Sequence, residues 1–276
     1  MTQGPAATIV VPLLAQEDEW LHQCLRSALE QTVKVTVAVV TSPRTPASNV
    51  AVLEDLQRRH PEIHCFERPT GGGFADAINA GFRFARTERV GLLLSDDWLL
   101  PTTLAECLAH EADIVATGRR AFAADGSTRL WERVPSQAAF ERLTTFEAKA
   151  SYLGHFFLFR RALFLAVGGV DPEIGLTGAD DYDLPWTLLE QGASVSVVER
   201  PLYRYRDHEK TRLTLRERTA QVHDFRRVLQ KHGIPETEIE EQVRKRQRWF
   251  GVPTIRAIED PNWYLDAGDD DSQTNR

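Results

Sequence analysis

Two pairs of neighbouring aspartates stand where carboxylates could do chemistry. The first pair, Asp96 and Asp97, follows Ser95 at the end of the apolar run Leu92–Leu94. Ligands of open α/β sheets bind beyond the carboxyl ends of the strands, so these carboxylates could hold a divalent cation against the phosphates of a substrate. Oxygen ligands suit Mg²⁺ or Mn²⁺. The alternative is that one aspartate caps the next helix while the other is exposed.

The second pair, Asp180 and Asp181, opens a predicted helix within the stretch Thr177–Trp186. Acidic residues suit the first turn of a helix because of the helix dipole. A carboxylate fixed at a helix start beside a cleft could also act as a general base toward an acceptor hydroxyl. Helix capping is again the alternative.

Two further features carry weaker signals. The run Gly71–Gly73 precedes a predicted helix and could let the backbone approach a phosphate, or it could simply turn the chain. It is not a dinucleotide fingerprint, because Asp76 stands where the third glycine would be. His208 could bind a metal or a phosphate, although a lone histidine more often does neither.

Short apolar runs alternate with helical patterns along most of the chain, which is typical of an α/β sheet. Strands are predicted at Ala7–Leu14, Val33–Thr41, Ile63–Glu67, Arg89–Ser95, Asp113–Thr117 and Val195–Val198. Helices are predicted at Glu19–Gln31, Ala47–Arg59, Phe74–Arg86, Thr102–His110, Ala162–Gly168 and Asp181–Gln191. The pattern breaks up between Gly118 and Ala150.

Composition excludes several classes of protein. With 42% hydrophobic and 26% charged residues over 276 positions, the chain is globular, and its net charge of −7 argues against a nucleic-acid partner. The three cysteines are widely spaced and are expected to be reduced, packed thiols. No apolar run approaches the roughly 20 residues that span a bilayer, and the N-terminus does not resemble a secretory signal. We expect a cytoplasmic protein, with a possible peripheral position at the inner face of the membrane.

The C-terminal part differs from the body. We divide the chain into a body over residues 1–211, a helical pair over 212–255 with a charge of +4, and an acidic tail over 256–276 that we expect to be disordered. Helices are predicted at Leu215–Lys231 and Glu236–Phe250. The first carries an apolar stripe, Val222, Phe225 and Leu229, which favours packing on the body over contact with an anionic membrane.

The order and spacing of six segments resemble the family-2 glycosyltransferases of the GT-A fold, over roughly residues 7–212. The segments are Thr8–Pro12, CLRSALEQT at Cys24–Thr32, GGGFADAINAGFRFA at Gly71–Ala85, LLLSDDWLLP at Leu92–Pro101, GGVD at Gly168–Asp171 followed by TGADDYDLPW at Thr177–Trp186, and YRYRDH at Tyr203–His208. The resemblance implies a mixed, mainly parallel, Rossmann-like sheet flanked by helices, with the C-terminal helices as an appendage.

The same resemblance implies an inverting, metal-dependent transfer of a sugar from a nucleotide-diphosphate donor to a saccharide or lipid-linked acceptor, in polysaccharide, glycolipid or glycan synthesis. Asp96 would bind Mg²⁺ or Mn²⁺, with Asp97 and His208 as further metal ligands. Asp181 would be the catalytic base, beside Asp180 in place of the usual glutamate. The donor site would include the following residues together with Asp96: Pro12, Asp76, Asn79 and Ser95.

Three departures from the family pattern bear on the donor. Thr41–Arg44 replaces the acidic segment that recognises the nucleoside, Pro12–Ala15 lacks the usual tyrosine and asparagine, and Leu94 replaces the first acid of the metal motif. They leave open a GT-A-like binding or scaffolding subunit without turnover. A nucleotidyltransferase is disfavoured, since Pro12–Asp18 has neither glycine nor arginine.

The acceptor would bind over the less regular part of the body, Gly118–Phe159. Aromatic residues there could stack on a sugar, although most are expected to serve the core: Trp131, Tyr152, Phe156 and Phe157.

Overall fold

The apolar runs form one nine-stranded mixed sheet in a computed structural model, which describes residues 4–68, 73–154, 156–174, 180–208 and 218–260. The strand order is β3-β2-β1-β4-β8-β6-β9-β5, with β7 paired to β6. The strands are β1 Ala7–Pro12, β2 Val35–Thr41, β3 Ile63–Glu67, β4 Arg89–Leu92, β5 Trp98–Leu99, β6 Ile114–Phe122, β7 Arg129–Arg133, β8 Phe157–Arg160 and β9 Val195–Arg206.

Helices cover the faces of this sheet. In the body they are α1 Asp18–Leu29, α2 Ala47–Arg59, α3 Phe74–Phe84, α4 Thr103–Leu108, α5 Gln137–Glu141, α6 Phe146–Tyr152, α7 Arg161–Ala166 and α8 Asp180–Glu190. The C-terminal elements are α9 Arg218–Lys231, α10 Glu236–Arg246, a 3-10 turn Gln247–Trp249 and α11 Thr254–Glu259. This is the predicted α/β architecture, and several bounds match the predicted ones to within a few residues.

The N-terminal half of the sheet is wholly parallel. Strand β1 pairs in parallel with β2 on one side and β4 on the other, and β3 pairs in parallel with β2. All six residues of β1 are buried, as expected for a central parallel strand covered on both faces. Gly81 of α3 lies directly against Val10, where a Cβ would clash with the valine side chain. Parallel order places the ends of β1 and β4 at one edge of the sheet.

The other half of the sheet departs from the sequence prediction. Strand β6 does not stop at Thr117 but continues to Phe122 and pairs with β7, inside the segment where the pattern broke up. Strand β9 also runs well past Val198, to Arg206, parallel to β6 and antiparallel to β5. The long β9 therefore delivers its last residues to the segment after β4.

The C-terminal helices share the core of the body. Phe225, Val228 and Leu229 of α9 and two residues of α10 are buried in the same cluster as Val10 and the other sheet residues. The apolar stripe thus packs inward. Among the described residues, no helix has both the length and the apolar character needed to cross a membrane. Residues 256–259, assigned to the acidic tail, belong instead to α11; positions 261–276 lie outside the described residues.

The three cysteines are free, as predicted, and two of them are buried. Burial raises the pKa of the Cys65 and Cys107 thiols to about 12, so neither is a reactive thiolate at neutral pH.

A buried charge cluster fixes the end of α9 to α8. Asp183 is 1% exposed and accepts hydrogen bonds from Lys231 Nζ at 2.8 Å and from His232 Nε2 at 3.0 Å. The His232 ring also stacks on Trp186, with 4.2 Å between the ring centroids. The acid therefore joins the helical pair to the body.

We predict that Asp183→Ala lowers the free energy of unfolding by about 3 kcal/mol or more, because it leaves a buried histidine and a lysine without their shared carboxylate. Chemical denaturation measures the change. Arg226→Gln is the matched control, since it breaks an exposed pair with Glu240 and should cost less than about 1 kcal/mol. Equal losses in the two variants would contradict this role of Asp183.

Candidate active site

Asp96 and His208 meet at the edge where β4 and β9 end. Asp96 follows β4 and His208 follows β9, and Asp96 Oδ2 lies 3.0 Å from His208 Nε2. The His208 side chain is completely buried, with its ring 4.6 Å from that of Trp20, whereas the Asp96 side chain is 18% exposed. The pair thus presents a carboxylate toward solvent with an imidazole behind it.

Asp97 points inward and braces this edge. Its two oxygens accept hydrogen bonds from the Tyr203 hydroxyl and, at 2.7 Å, from the Arg206 backbone N–H. Burial, followed by the charge of Asp97, raises the pKa of Tyr203 well above its usual value, so the hydroxyl keeps its proton and donates it. The Asp97 carboxylate is 1% exposed and both of its oxygens are engaged in these hydrogen bonds, so it holds β9 against the segment after β4.

Arg206 is a site residue that sequence reasoning missed. Its guanidinium lies between the rings of Trp20 and Trp98, at 4.7 and 4.8 Å from their centroids. The Nε donates to the Asp96 carbonyl at 3.0 Å, and the terminal nitrogens donate to the Ala124 carbonyl and the Gln23 side chain. This arginine fixes the backbone that carries Asp96. Its sequence signal was its place in the segment Tyr203–His208, in which only His208 was given a role.

The residues expected on the donor side fall into two groups. Pro12 ends β1 at the same edge of the sheet as the segment that carries Asp96. Ser95 directly precedes Asp96, and its hydroxyl accepts a hydrogen bond from Gln16 Nε2 at 3.3 Å. Asp76 instead caps α3, accepting from the Gly73 N–H at 2.7 Å. Positions 71 and 72 of the glycine run lie outside the described residues.

Asn79 has a structural role rather than a donor-facing one. It is 5% exposed, and its amide exchanges two hydrogen bonds with the backbone of Val170, at 2.7 and 2.9 Å. Both ends of the side chain are therefore used in fixing the loop after α7. Gly169 lies against the same amide with φ +81°, and a Cβ there would clash with Asn79 Oδ1.

Asp181 lies in a second place, at the start of α8. It lines a cavity of about 850 Å³ between the sheet and the C-terminal helices, together with Arg119 of β6 and Trp131 of β7. Burial lowers the pKa of the Arg119 guanidinium, and the charge of Asp181 acts in the opposite direction, which places the two charges within interaction range. The backbone of Asp180 begins α8, while its side chain lies outside the described residues.

The cavity reaches the segment that carries His208. Trp131 lines the cavity, and its Nε1 donates to Asp207, the residue before His208, at 3.3 Å. The Asp207 carboxylate also accepts from the Thr254 and Ile255 backbone N–H groups at the start of α11. The lining of the Asp181 cavity therefore contacts Asp207, the residue before His208.

The other aromatic candidates divide as expected. Phe156 and Phe157 are core residues, 0% and 2% exposed. Tyr152 accepts a hydrogen bond from the Ser136 N–H at 2.9 Å. Trp131 alone of this set lines the cavity.

The donor set near Asp96 suits a cation that arrives with its phosphates. Within the described ranges, no group of three or more acidic, histidine or cysteine side chains could hold a metal ion. Asp96 and His208 supply one oxygen and one nitrogen. A magnesium-type ion is commonly bound through one or two carboxylates plus substrate phosphates, so Asp96 fits such an ion as part of a substrate complex, with the His208 nitrogen next to it.

This fold and edge define a GT-A glycosyltransferase architecture, and the comparisons agree. The family described as "Glycosyltransferase like family 2" matches residues 5–251. The chain belongs to that family.

Two curated relatives illustrate the similarity. The O-antigen biosynthesis protein RfbC of Myxococcus xanthus is 26% identical over 224 residues, which are 75% of this chain and 16% of that protein. Chondroitin synthase of Pasteurella multocida is 28% identical over 193 residues, which are 68% of this chain and 19% of that protein. The chain thus spans less than a fifth of the length of these relatives.

Solved structures share the fold. The mannosyltransferase PcManGT from Pyrobaculum calidifontis, in complex with GDP-Man and Mn²⁺, superposes with a TM-score of 0.63 at 20% identity, covering 97% of this chain and 77% of that one. S. aureus TarS 1–349 in complex with UDP-GlcNAc gives 0.62 at 17% identity, covering 95% and 79%.

The Asn79 contact predicts a difference between two adjacent glycines. Both have left-handed φ angles, but a Cβ at Gly168 meets nothing within 4 Å, whereas one at Gly169 displaces the Asn79 amide. Gly168→Ala should cost about 1 to 2 kcal/mol from backbone strain alone. Gly169→Ala should cost at least about 2 kcal/mol more, because the Val170 backbone groups lose their partner. Urea denaturation of both variants decides, and equal losses would show that Asn79 does not hold this loop.

Proposed function

We propose that the chain transfers a sugar from a nucleotide-diphosphate sugar to an acceptor hydroxyl, with inversion at the anomeric carbon and with the help of Mg²⁺ or Mn²⁺. The observation that carries the proposal is the junction at the end of β9. There the Asp96–His208 pair lies next to Asp207, which is hydrogen-bonded to Trp131 in the lining of the cavity that holds Asp181.

The donor diphosphate would bind at the Asp96–His208 pair. Asp96 and His208 would hold the divalent cation, which when bound neutralises charge on the departing diphosphate. Arg206 is too enclosed by Trp20 and Trp98 to bind substrate, but it keeps the Asp96 backbone fixed. Pro12 and Ser95 would border the donor, whereas the contacts of Asp76 and Asn79 favour structural roles. The complexes of PcManGT with GDP-Man and Mn²⁺ and of TarS with UDP-GlcNAc support a nucleotide-sugar donor.

The acceptor would bind in the cavity, with Asp181 as the base. Its carboxylate takes the proton of the acceptor hydroxyl while that oxygen forms a bond to the anomeric carbon. The bond from the same carbon to the diphosphate oxygen breaks, and the nucleoside diphosphate leaves with the electron pair. One displacement of this kind inverts the anomeric centre. Asp180 would support the helix start rather than react.

A binding or scaffolding subunit without turnover is the second candidate. The observation that favours it is the inward position of Asp97, which leaves two protein groups for a metal, together with the Thr41–Arg44 turn in place of the nucleoside-binding acid. Measurements of nucleoside-diphosphate release and of thermal stabilisation by nucleotides separate the two candidates.

We also propose a cytoplasmic location, which the free, buried thiols support. The acceptor is proposed to be a saccharide, free or lipid-linked, in glycan synthesis. A lipid-linked acceptor would bring the exposed basic residues of the C-terminal helices, among them Arg244 of α10, near the inner membrane face.

Asp181→Asn is predicted to lower turnover by about 10² to 10⁴-fold while leaving nucleotide affinity unchanged, since the amide cannot take the proton. The measurement is nucleoside-diphosphate release over a panel of nucleotide sugars and saccharide acceptors. Asp55→Asn, on the outer surface of α2, is the control and should keep full activity. Unchanged turnover in Asp181→Asn would remove this residue from the reaction.

Asp96→Ala is predicted to abolish the Mn²⁺-dependent part of nucleotide binding, because the more exposed of the two ion-holding groups is lost. Thermal stabilisation by UDP, GDP and their sugars, with and without Mn²⁺, measures it, since a ligand that binds only the native state raises the melting temperature. Survival of the Mn²⁺ effect in this variant would show that the metal binds elsewhere. No shift with any nucleotide in the wild-type protein would favour the scaffolding subunit.

A further inference from the structure

The cavity beside Asp181 carries more positive than negative charge. Its lining includes five cationic residues: Arg119, Arg133, Lys245, Arg246 and Arg248. Three acidic residues face them: Glu132, Glu147 and Asp181. We call this space the arginine cavity. The sheet supplies Arg119 and Arg133, and the C-terminal helices supply the others, so the charge comes from both walls.

Salt bridges to residues outside the lining neutralise one acid and one cation of the cavity. Glu132 is paired with Arg120 and, at 3.3 Å, with Arg129, neither of which lines the cavity. Lys245 is similarly paired with Glu241 at 2.8 Å. Against the remaining arginines there are then two carboxylates, those of Asp181 and Glu147, and Glu147 already accepts a hydrogen bond from the Tyr182 hydroxyl at 3.0 Å.

Neighbouring arginines of the cavity repel one another: Arg133 repels Arg119, and Arg246 repels Arg133. Burial lowers the pKa of Arg119 and of Arg133; the charge of Arg133 lowers that of Arg119 further, and the charge of Arg246 does the same to Arg133. The Arg119 Nε is buried and has no hydrogen-bond partner in the described part of the chain. Like charges held together at partial burial cost free energy that a bound anion would offset.

Aromatic rings lie beside these cations. The Arg119 guanidinium is 5.1 Å from the Trp131 ring centroid, and that of Arg248 is 4.5 Å from the ring centroid of Trp249. Both tryptophans line the cavity, as does Tyr205. Flat apolar rings with a few convergent charged groups are the usual lining of a site for an amphipathic small molecule, and at about 850 Å³ the space holds more than one sugar unit.

We propose that the arginine cavity binds an acceptor saccharide that carries an anionic group, a carboxylate or a phosphate, held by Arg119, Arg133 and Arg246. The inference rests on the proposed function, because it takes the cavity of Asp181 as the acceptor site. It adds the acceptor class, which the donor side does not specify. Planar guanidinium groups pair with either oxyanion through two parallel hydrogen bonds.

The test compares charged saccharides with a neutral analogue on the full chain. Isothermal titration calorimetry would use tetragalacturonate, its fully methyl-esterified form and maltotetraose phosphate, a sugar tetramer that carries a phosphate. At least one anionic probe should bind about tenfold or more tightly than the ester, and its affinity should fall as NaCl rises. Preference for tetragalacturonate indicates a carboxylate, and preference for the phosphate tetramer indicates a phosphate. Equal affinity for all three, or no binding by either anion, would overturn the proposal.

Variants locate the effect. Arg133→Gln should weaken binding of the preferred anion by about tenfold, whereas Arg58→Gln, at an exposed arginine of α2 outside the lining, should leave it unchanged. Melting temperatures check that both variants fold. If Arg133→Gln does not fold, the salt dependence of anion binding by the wild-type protein tests the proposal. Nucleotide binding is measured separately. If the wild-type protein binds no nucleotide, the proposed function is contradicted. If it binds nucleotides but shows no preference for anionic saccharides, this inference alone is contradicted.

Discussion

A single buried carboxylate, that of Asp97, holds together the edge of the sheet that carries Asp96 and His208. One oxygen accepts from the Tyr203 hydroxyl and the other from the Arg206 N–H, so the segment after β4 is fixed to the last residues of β9. A carboxylate this deeply buried is tolerated because both of its oxygens are hydrogen-bonded. Asp96 precedes it and His208 follows Arg206 by two residues, so the 3.0 Å approach of that pair depends on the same bracing.

Strand β9 serves both halves of the proposed site. Successive residues of a strand point to opposite faces, so one strand end can present different side chains to two places. Arg206 lies between two tryptophans beneath Asp96, while Tyr205 lines the cavity of Asp181. The pairing of β9 with both β6 and β5 fixes this strand end, and any shift in its register would displace the Asp96–His208 pair and the cavity together.

The sequence was sufficient for the parallel half of the fold because that half is built from local apolar patterns. Ile63–Glu67 and Ala47–Arg59 fold at the predicted bounds. The region after Gly118 was missed as strand because its several arginines, half-buried in β6 and exposed in β7, hide the alternation on which a strand prediction depends.

Site residues followed a different logic. Motif spacing identified Asp96, His208 and Asp181 as polar residues near strand ends or a helix start. It could not show that the side chains of Asp97 and Asn79 form their hydrogen bonds inside the protein, since those bonds depend on partners more than 90 residues away along the chain. Arg119 gave no signal at all, because an arginine enclosed by rings has no periodic pattern.

Helix α8 links the chemistry to the wall of the cavity. It carries Asp181 toward the cavity and, half a turn later, Asp183 toward Lys231 and His232 of the C-terminal segment. Because α9 and α10 supply one side of the cavity, the helix that carries the proposed base also anchors the elements that would enclose the acceptor. The C-terminal helices therefore line the proposed acceptor cavity. Changes in these helices could alter the proposed acceptor preference while the edge that carries Asp96 and His208, braced separately by Asp97, keeps its geometry.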